Sequence, residues 1–504
     1  MYPIDTFHRQ AKLTPSAVAV ECGDEKVSYR DLFDRSQALA MALQGIDSEA
    51  GSRVGICCYN HVDHLVAWLA VLAAGKIWVP LYPKNGQSEL NRAIAFTEMS
   101  IVIADVDTRD LLETGKAKVI LTGNGGEDTT SSLIASHEGQ FPEFHDLGLH
   151  STQAIKFTGG STGVPKGVMQ TYRAWNAVIA IQIRAWEMTD GDRFLAAAPI
   201  THGTSTYVLP TLATGGTLVL LDRARPGEIL DQLANNAITT TFLPPTVIYM
   251  MLEEGGIDTM TFDHLRNLVY GSAPMRADAI SHAQKVFGPR IASTYGQTEA
   301  PQIATMISAQ DLARDDKRAS VGRETFLARV GILDQDLNEV AAGEIGEIAI
   351  RGDLLMGGYW KQPEKTESAL KKGWLLTGDL GTFDEEGYLF IKGRSKDVVI
   401  TGGFNVYPVD VEGALGKIDG VADCAVFGIP DDKWGEALHA AVQLSAGASV
   451  KPDELIARIR EQLGPVKTPK SITVYDALPR NAYGKLQKQE LIDNFKAAEK
   501  EAAR

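Results

Sequence analysis

The sequence predicts an α/β protein with a large N-terminal domain of α/β subdomains and a smaller α+β C-terminal domain. The chain has 504 residues, more than one hydrophobic core usually organises. Strand-like and helix-like segments alternate through its first half, which is typical of a parallel sheet covered by helices. From about Val330 the pattern changes to short strands and turns. We therefore expect a small β-barrel-like subdomain on the larger body.

The first elements follow one another in short alternation. Ser28 is placed to cap a helix that continues to about Leu43, because its hydroxyl can accept a hydrogen bond from an amide of the first turn. Leu65 to Ala74 is the most apolar run. It is too short to span a bilayer, which needs roughly 20 residues, and is predicted to be a buried helix. Strands are predicted at 53–57, 77–81, 101–104 and 119–121.

A loop rich in glycine and hydroxyl side chains comes next, before a helix that starts near Tyr172. Backbone amides, hydroxyls and a lysine in one loop favour a polyphosphate. The loop is not a Walker A motif, because Pro165 separates its last glycine from the lysine and Gly167 stands where that motif has Ser or Thr. A metal ion would therefore need a ligand elsewhere. The candidate phosphate-binding residues are Thr158, Gly159, Gly160, Ser161, Thr162, Gly163 and Lys166.

The pattern then repeats as a second α/β layer, with strands predicted at 193–197, 217–221, 240–243 and 268–270. Beyond Val330, residues 343–350 alternate polar and apolar, and 384–388 is predicted to be a hairpin turn. The last region runs to Arg504 and has a common domain size. We place the domains at 1–394 and 398–504, with a hinge at 395–397.

Composition excludes several classes of function. The formal net charge is -15, with 49 basic against 64 acidic residues and no long basic tract, so no nucleic-acid partner is expected. Cys22, Cys57, Cys58 and Cys424 follow neither a disulfide framework nor metal-ligand spacing. The N-terminus lacks the pattern of a signal peptide. These observations predict a cytoplasmic enzyme without a transmembrane segment, either monomeric or homodimeric.

Four further motifs establish a resemblance to a known family. They are Tyr295-Gly296-Gln297-Thr298-Glu299, Leu376-Thr377-Gly378-Asp379, Gly393-Arg394-Ser395-Lys396-Asp397 with Gly402-Gly403, and Pro479-Arg480-Asn481-Ala482-Tyr483-Gly484-Lys485. In this order, and together with the glycine-rich loop, the chain resembles the adenylate-forming (ANL) superfamily. That superfamily includes acyl-CoA synthetases, adenylation domains of peptide synthetases and luciferases. The likeness covers nearly the whole chain.

The resemblance implies a set of roles in joining a carboxylate to the α-phosphate of ATP. Lys485 is the catalytic lysine that reaches both the carboxylate and the phosphate. Thr298 hydrogen-bonds the α-phosphate, and Glu299 is the ligand of Mg²⁺, a cation that takes oxygen ligands. Asp379 binds the ribose hydroxyls and Arg394 the ribose or a phosphate.

The resemblance also implies contacts to adenine and to the acid. Gly271-Ser272-Ala273-Pro274 is the loop beside adenine, while Tyr295 is a stacking face and Gly296 follows it in the same motif. His202 lies where acyl- and aryl-CoA ligases have a histidine beside the acyl pocket and the thiol channel, which implies a catalytic role. Amino-acid adenylation domains usually have Phe-Asp in this stretch, so Thr201-His202 disfavours an α-amino acid substrate.

Coenzyme A is expected to react after the C-terminal domain rotates, because one face cannot present Lys485 and the thiol together. Lys396 occupies the family's hinge position. Gly402 and Gly403 would line the pantetheine tunnel, and Trp434 resembles a tryptophan near the CoA nucleotide. Three departures from the family pattern are Gly159 in place of Ser, Glu324 in place of Pro, and Val466 in place of an aromatic residue.

We therefore predict an ATP-dependent acid–CoA ligase of the acyl/aryl-CoA synthetase branch, using ATP, Mg²⁺ and coenzyme A. The alternative is a stand-alone adenylation enzyme that loads a carrier protein. A luciferase-like oxygenase and a catalytically silent binding protein are more distant alternatives. The acid substrate is left open between aryl, medium-chain and other acids. A dicarboxylate is disfavoured, because neither Arg nor Lys stands beside the stretches expected to form the acyl pocket.

Overall fold

The computed structural model of the protein describes residues 1–124, 126–158, 165–223, 225–431, 433–480 and 486–502. Four β-sheets organise this part of the chain. The two largest are mainly parallel and covered by helices, and the other two are smaller. The predicted α/β class, with an appended β subdomain and a small C-terminal domain, is confirmed.

The bounds of the regular elements are as follows. The helices are α1 (Pro3–Leu13), α2 (Tyr29–Ile46), α3 (Val62–Ala73), α4 (Gln87–Thr97), α5 (Thr130–Ser136), α6 (Tyr172–Ala185), α7 (Ser205–Thr214), α8 (Pro226–Asn235), α9 (Pro245–Leu252), α10 (Ala277–Phe287), α11 (Ala309–Leu312), α12 (Pro363–Ala369), α13 (Pro408–Leu415), α14 (Pro452–Leu463) and α15 (Lys488–Ala502). The strands are β1 (Val18–Cys22), β2 (Glu25–Ser28), β3 (Arg53–Cys57), β4 (Ile77–Pro80), β5 (Ile101–Ala104), β6 (Lys118–Leu121), β7 (Thr152–Thr158), β8 (Lys166–Thr171), β9 (Arg193–Ala196), β10 (Thr217–Leu220), β11 (Thr240–Leu243), β12 (Asn267–Tyr270), β13 (Ile291–Tyr295), β14 (Thr305–Ile307), β15 (Arg323–Glu324), β16 (Ala328–Leu333), β17 (Gly346–Gly352), β18 (Gly358–Tyr359), β19 (Leu370–Lys371), β20 (Trp374–Phe383), β21 (Leu389–Arg394), β22 (Val399–Thr401), β23 (Phe404–Val406), β24 (Val421–Asp431), β25 (Gly435–Leu444) and β26 (Ser471–Tyr475).

The first large sheet has seven strands in the order β18-β8-β7-β4-β3-β5-β6. Strands β7, β4, β3, β5 and β6 are parallel, and β8 and β18 are antiparallel to their neighbours. Its central strands are apolar runs buried on both faces, as expected for a parallel sheet between helices. The glycine-rich loop joins β7 to β8, so the candidate phosphate site lies at the carboxyl end of β7.

The second large sheet has nine strands in the order β15-β14-β13-β12-β11-β9-β10-β1-β2. The six strands from β13 to β1 in this order are parallel, and the edges are antiparallel. The predicted strands of this layer are found within a residue of their expected bounds. The motif that begins at Tyr295 lies at the carboxyl end of β13. In open α/β sheets ligands bind at this end.

Helix α3 and its neighbours form the core between the layers. Ser28 caps α2 as predicted, accepting a hydrogen bond from the amide of Asp31. The apolar helix α3 is buried through most of its length, which confirms the prediction from Leu65 to Ala74. Among the described residues no helix has both the length and the apolar character needed to cross a membrane. Three buried indoles pack together here, namely Trp68, Trp78 and Trp175.

The two smaller sheets complete the chain. Strands β16, β17, β20, β19 and β21 form the antiparallel sheet of the appended subdomain, and β20 and β21 form the predicted hairpin. Strands β22 to β26 form the C-terminal sheet, against which α13 and α14 pack. A single 3-10 turn, Ser395–Asp397, separates the two sheets along the chain. The hinge at 395–397 and the boundaries around it stay predictions.

Candidate active site

Asp379 is the centre of a buried polar cluster. Its carboxylate accepts hydrogen bonds from the Tyr295 hydroxyl at 2.8 Å and from the Gln297 side-chain amide at 2.7 Å. The Arg394 guanidinium lies 3.4 Å from the other carboxylate oxygen. Burial and the Asp379 charge raise the pKa of Tyr295 well above its usual value, so its hydroxyl stays protonated and donates. The structure thus brings together three predicted ribose- and adenine-site residues.

The Glu299 carboxylate contacts a residue from a distant part of the chain. The Tyr359 hydroxyl donates to one oxygen of its carboxylate at 2.8 Å. The ring of Tyr359 lies 5.6 Å from the Lys166 ammonium, at cation–π distance. Burial, reinforced by the Glu299 charge, raises the pKa of Tyr359. Strand pairing explains the meeting, because Tyr359 in β18 lies opposite Val168 in β8.

The two clusters form one site, since the turn from Gln297 to Ala300 connects them. The backbone of Gln297 and Ala300 is joined by reciprocal hydrogen bonds of 3.0 and 3.2 Å. The side chain of Gln170 donates to the carbonyl of Thr298 at 2.9 Å, which fixes the turn against β8. A Cβ at Gly296 would lie 2.6 Å from the backbone of Gln302, so this position has no room for a side chain.

His202 stands at the entrance to α7 beside a lysine. Its ring packs edge-on against Tyr82 with centroids 4.9 Å apart, and the Thr201 hydroxyl lies 2.7 Å from its Nδ1. Burial, with a contribution from the charge of Lys156, lowers the pKa of His202 to about 3. The imidazole is therefore neutral at pH 7. The Lys156 ammonium lies 3.1 Å from the His202 carbonyl and 2.6 Å from the Ser205 hydroxyl, so the expectation that no Lys stands beside the pocket stretch near Tyr207 is wrong.

The predicted adenine loop follows β12 as expected. Ser272 has φ +69°, a left-handed conformation that few non-glycine residues adopt. Gly271 and Gly203 both approach the ring of Phe242, and a Cβ at either would lie 3.0 or 2.9 Å from a ring carbon. The two glycines thus leave the space in front of Phe242 open. The contacts of Ala273 and Pro274 with adenine stay predictions.

The predicted CoA-binding residues lie in the loops of the C-terminal sheet and in the short segment that precedes it. Gly402 and Gly403 form the left-handed turn between β22 and β23, and a Cβ at Gly402 would lie 3.1 Å from the Trp434 ring. Two ammonium groups, of Lys433 and Lys470, lie 4.9 and 4.7 Å from the same ring. Among the described residues no hydrogen bond or ion pair joins Trp434 or the exposed Lys396 to the Asp379 cluster.

Several predicted residues lie outside the described part of the chain. These are Gly159, Gly160, Ser161, Thr162, Gly163 and Lys485.

Comparison with known proteins adds independent information. The sequence matches the AMP-binding enzyme family over residues 7–360 and the AMP-binding enzyme C-terminal domain over residues 410–485. The chain belongs to the AMP-binding enzyme family. This membership confirms the predicted resemblance to adenylate-forming enzymes.

Curated relatives and solved structures of this family match the AMP-binding enzyme along nearly its whole length. Feruloyl-CoA synthase of an Amycolatopsis species is 33% identical over 97% of this chain and 98% of its own. The medium/long-chain fatty-acid–CoA ligase FadD8 of Mycobacterium tuberculosis is 32% identical over 94% of this chain and 86% of its own. ATP-bound MatB of Rhodopseudomonas palustris superposes with a TM-score of 0.91 at 31% identity, covering 98% of this chain and 99% of that one.

Three residues of the site escaped the sequence analysis as functional positions. Gln297 lies within the motif Tyr295 to Glu299 without an assigned role, although it contacts Asp379 directly. Tyr359 lies 60 residues from Glu299, and no sequence pattern predicts the hydrogen bond between them. Lys156 had a usable signal, because a lysine interrupts the apolar run Ala154-Ile155 just before the glycine-rich loop.

Proposed function

We propose that this AMP-binding enzyme is an ATP-dependent acid–CoA ligase. It joins a carboxylic acid to AMP with release of pyrophosphate, and then transfers the acyl group to coenzyme A. The observation that carries the proposal is a series of polar groups along one turn: Gln297 donates to Asp379, and Glu299, two residues later, accepts from Tyr359, whose ring faces Lys166. The names of the relatives, a CoA synthase and a CoA ligase, support the same reaction.

The series has the order of chemical groups that ATP requires. Asp379 offers a carboxylate to the ribose hydroxyls, and its contacts with Tyr295 and Gln297 fix its orientation. Lys166 offers a cation next to the loop that would surround the β- and γ-phosphates. Fixed charges and dipoles of this kind stabilise charge that develops during phosphoryl or adenylyl transfer.

Glu299 fits the proposed Mg²⁺. One of its carboxylate oxygens accepts the Tyr359 hydrogen bond, and within the described residues the other accepts none. Mg²⁺ usually binds proteins through one or two carboxylates together with substrate phosphates. The Glu299 carboxylate suits this role, because a hydrogen bond orients it and its second oxygen can bind the cation. When bound, Mg²⁺ would neutralise phosphate charge.

In the first half-reaction an oxygen of the acid attacks the α-phosphorus, and the bond to the bridging oxygen of pyrophosphate breaks. Lys485 is proposed to hold the two anions together, and Thr298 to donate to the α-phosphate. In the second half-reaction the CoA sulfur attacks the acyl carbonyl, its proton is lost, and AMP leaves. Gly402, Gly403 and Trp434 are proposed to hold CoA after rotation about Lys396.

His202 contributes a neutral ring to the acyl pocket. Because burial lowers its pKa to about 3, it carries no charge near pH 7 and is a poor proton acceptor. Its proposed role is to form a wall, together with Tyr82, that orients the acid. The four cysteines are free thiols, which is consistent with the proposed cytoplasmic location.

The decisive experiment supplies ATP, Mg²⁺, free CoA and a panel of aryl and aliphatic acids, and measures pyrophosphate and thioester separately. A CoA ligase forms both with at least one acid. If pyrophosphate appears but no acid yields acyl-CoA, while a holo carrier protein becomes acylated, the enzyme loads a carrier protein instead. If no acid releases pyrophosphate, the proposal fails.

A further inference from the structure

Lys156 is a buried cation with no carboxylate partner in the described part of the chain. Three lysines are buried in the described part of the chain, namely Lys76, Lys156 and Lys317. Lys317 pairs with three carboxylates, and Lys76 lies 4.0 Å from Asp47. Among the described residues Lys156 has no ion-pair partner, although it is only 8% exposed. A buried charge normally has a partner of opposite sign. We therefore expect the partner of Lys156 to come from outside the described residues.

The surroundings of the Lys156 ammonium satisfy it only in part. It donates to the His202 carbonyl at 3.1 Å and to the Ser205 hydroxyl at 2.6 Å. An ammonium group has three protons, and the third has no acceptor among the described residues. The rings of Trp78 and Trp175 lie 4.9 and 5.5 Å away and favour a cation, but they accept no conventional hydrogen bond.

Other unpartnered donors lie close to the same ammonium. The indole N–H groups of Trp78 and Trp175 are buried and have no acceptor in the described part of the structure. Among the described residues the buried hydroxyl of Thr204, next to Ser205 in sequence, also has no hydrogen-bond partner. A region that contains a lone cation and several unpaired donors is chemically suited to an acceptor or an anion. Burial lowers the pKa of Lys156 to about 7, as expected when the compensating charge is missing.

Strand geometry places this group on the same sheet face as the proposed phosphate site. Lys156 and Thr158 are two apart in β7, so their side chains leave the same face, about 7 Å apart along the strand. Thr158 lies opposite Lys166 across the β7–β8 pair. The activated carboxylate of the acid would lie at the α-phosphate. If the rest of the acid follows β7 past His202, its remote end then lies near Lys156.

We propose that Lys156 binds an oxygen-bearing acceptor group, best a second carboxylate, at the end of the acid substrate remote from the carboxylate that is activated. This inference rests on the proposed acid–CoA ligase function and narrows its substrate class. It reverses the expectation that a dicarboxylate is disfavoured. Binding of a substrate carboxylate also explains why this position has a buried charged side chain, when an apolar side chain could pack there at no cost of burying a charge.

The test compares acids that differ only in that remote group: benzene-1,4-dicarboxylate with 4-methylbenzoate, and hexanedioate with hexanoate. Binding is measured by calorimetry, and adenylation by pyrophosphate release, for the wild type and Lys156→Met. The wild type should prefer the dicarboxylate of at least one pair, and Lys156→Met should lower that preference about tenfold or more. Lys156→Met should also raise the Tm, because a buried unpaired charge is removed.

Lys76→Met is the matched control. Lys76 is also buried, but it donates to two carbonyls and the Ser52 hydroxyl, so its replacement should lower the Tm and keep the wild-type preference. The inference is overturned if the wild type binds both methyl-ended acids as tightly as the dicarboxylates, or if Lys156→Met keeps the wild-type ratio. Should calorimetry show the preference while no acid is adenylated, the inference stands and the proposed ligase function fails.

Discussion

The hydroxyl of Tyr359 donates a 2.8 Å hydrogen bond to the carboxylate of Glu299, across 60 residues of sequence. The same tyrosine ring faces the ammonium of Lys166. One side chain thus contacts both the proposed metal ligand and the proposed phosphate-binding lysine. Tyr359 therefore fixes the spacing between the two charged groups that ATP and its metal ion would meet.

Tyr359→Phe should weaken the response to Mg²⁺ without unfolding the protein. Removing one hydrogen bond to a charged group frees the Glu299 carboxylate to rotate, and we expect adenylation at limiting Mg²⁺ to fall about tenfold. The measurement is ATP–pyrophosphate exchange over a Mg²⁺ titration. Tyr388→Phe is the control, because that hydroxyl instead accepts a hydrogen bond from Arg323. An unchanged Mg²⁺ midpoint in Tyr359→Phe contradicts the proposed role of Glu299.

Asp379→Asn should reduce nucleotide affinity. The substitution keeps the shape of a buried side chain but removes the charge that would accept the ribose hydroxyls, so we expect AMP to bind about 10- to 100-fold more weakly. Titration calorimetry with AMP measures the effect. Asp353→Asn, which disrupts an exposed ion pair with Arg173, should leave AMP binding as in the wild type. Equal affinities in all three proteins would exclude Asp379 from the nucleotide site.

Lys485→Ala should separate the two half-reactions. The family resemblance assigns Lys485 to adenylation alone, so pyrophosphate release should fall by orders of magnitude while thioester formation from a supplied acyl-adenylate is largely kept. Rapid-mix assays of each step provide the measurement. Lys396→Pro should do the opposite, because a proline restricts the proposed hinge. Equal losses in both steps for Lys485→Ala would contradict a mechanism with two domain arrangements.

Stability should fall in mild acid because of His64. This side chain is fully buried, its Nδ1 donates to the Tyr59 carbonyl at 2.9 Å, and its Nε2 has no described partner. Burial lowers its pKa to about 4, below the unfolded value of about 6.5. The stabilising contribution is therefore fully present above pH 6.5 and is lost as the pH falls toward 4, by about 3 kcal/mol in total.

Urea unfolding at pH 7.5, 5.5 and 4.5 measures this contribution. His64→Gln cannot take up the proton, so its free energy of unfolding should decrease less than that of the wild type between pH 7.5 and 4.5. His282 is exposed, and His282→Gln should keep the wild-type dependence. If all three proteins lose stability equally, the acid sensitivity arises elsewhere.

Local patterns predicted the elements well but not their lateral contacts. Ser28 at the start of α2 and the apolar run of α3 were recognisable, because capping and burial depend on neighbouring residues. The motifs likewise singled out Asp379 and Glu299 as candidates, and their roles stay predictions. The sequence did not show that Tyr359 pairs with β8, because a two-residue strand has almost no periodicity and its partner lies far away along the chain.

Lys156 illustrates a different limit. It precedes the glycine-rich loop in a segment for which no strand is predicted, and its environment depends on where α6 and α7 cross the sheet. Trp78, Trp175 and Ser205 come from three separate elements and meet the ammonium only after packing. The prediction considered only the stretches near Tyr207, from Gly271 onward and around Gly296, and therefore missed a cation that packing brings in from β7.

The edge pairing of β18 with β8 also bears on how this protein is made. Strand β8 follows the glycine-rich loop directly, yet its outer neighbour is synthesised almost 200 residues later, and Asp379 later still. While Tyr359 is still inside the ribosome, the nascent chain lacks strand β18 beside β8 and the hydrogen bond from Tyr359 to Glu299. Because the proposed ATP site needs these contacts, we expect ATP to stabilise only nascent chains in which most of the protein has already emerged.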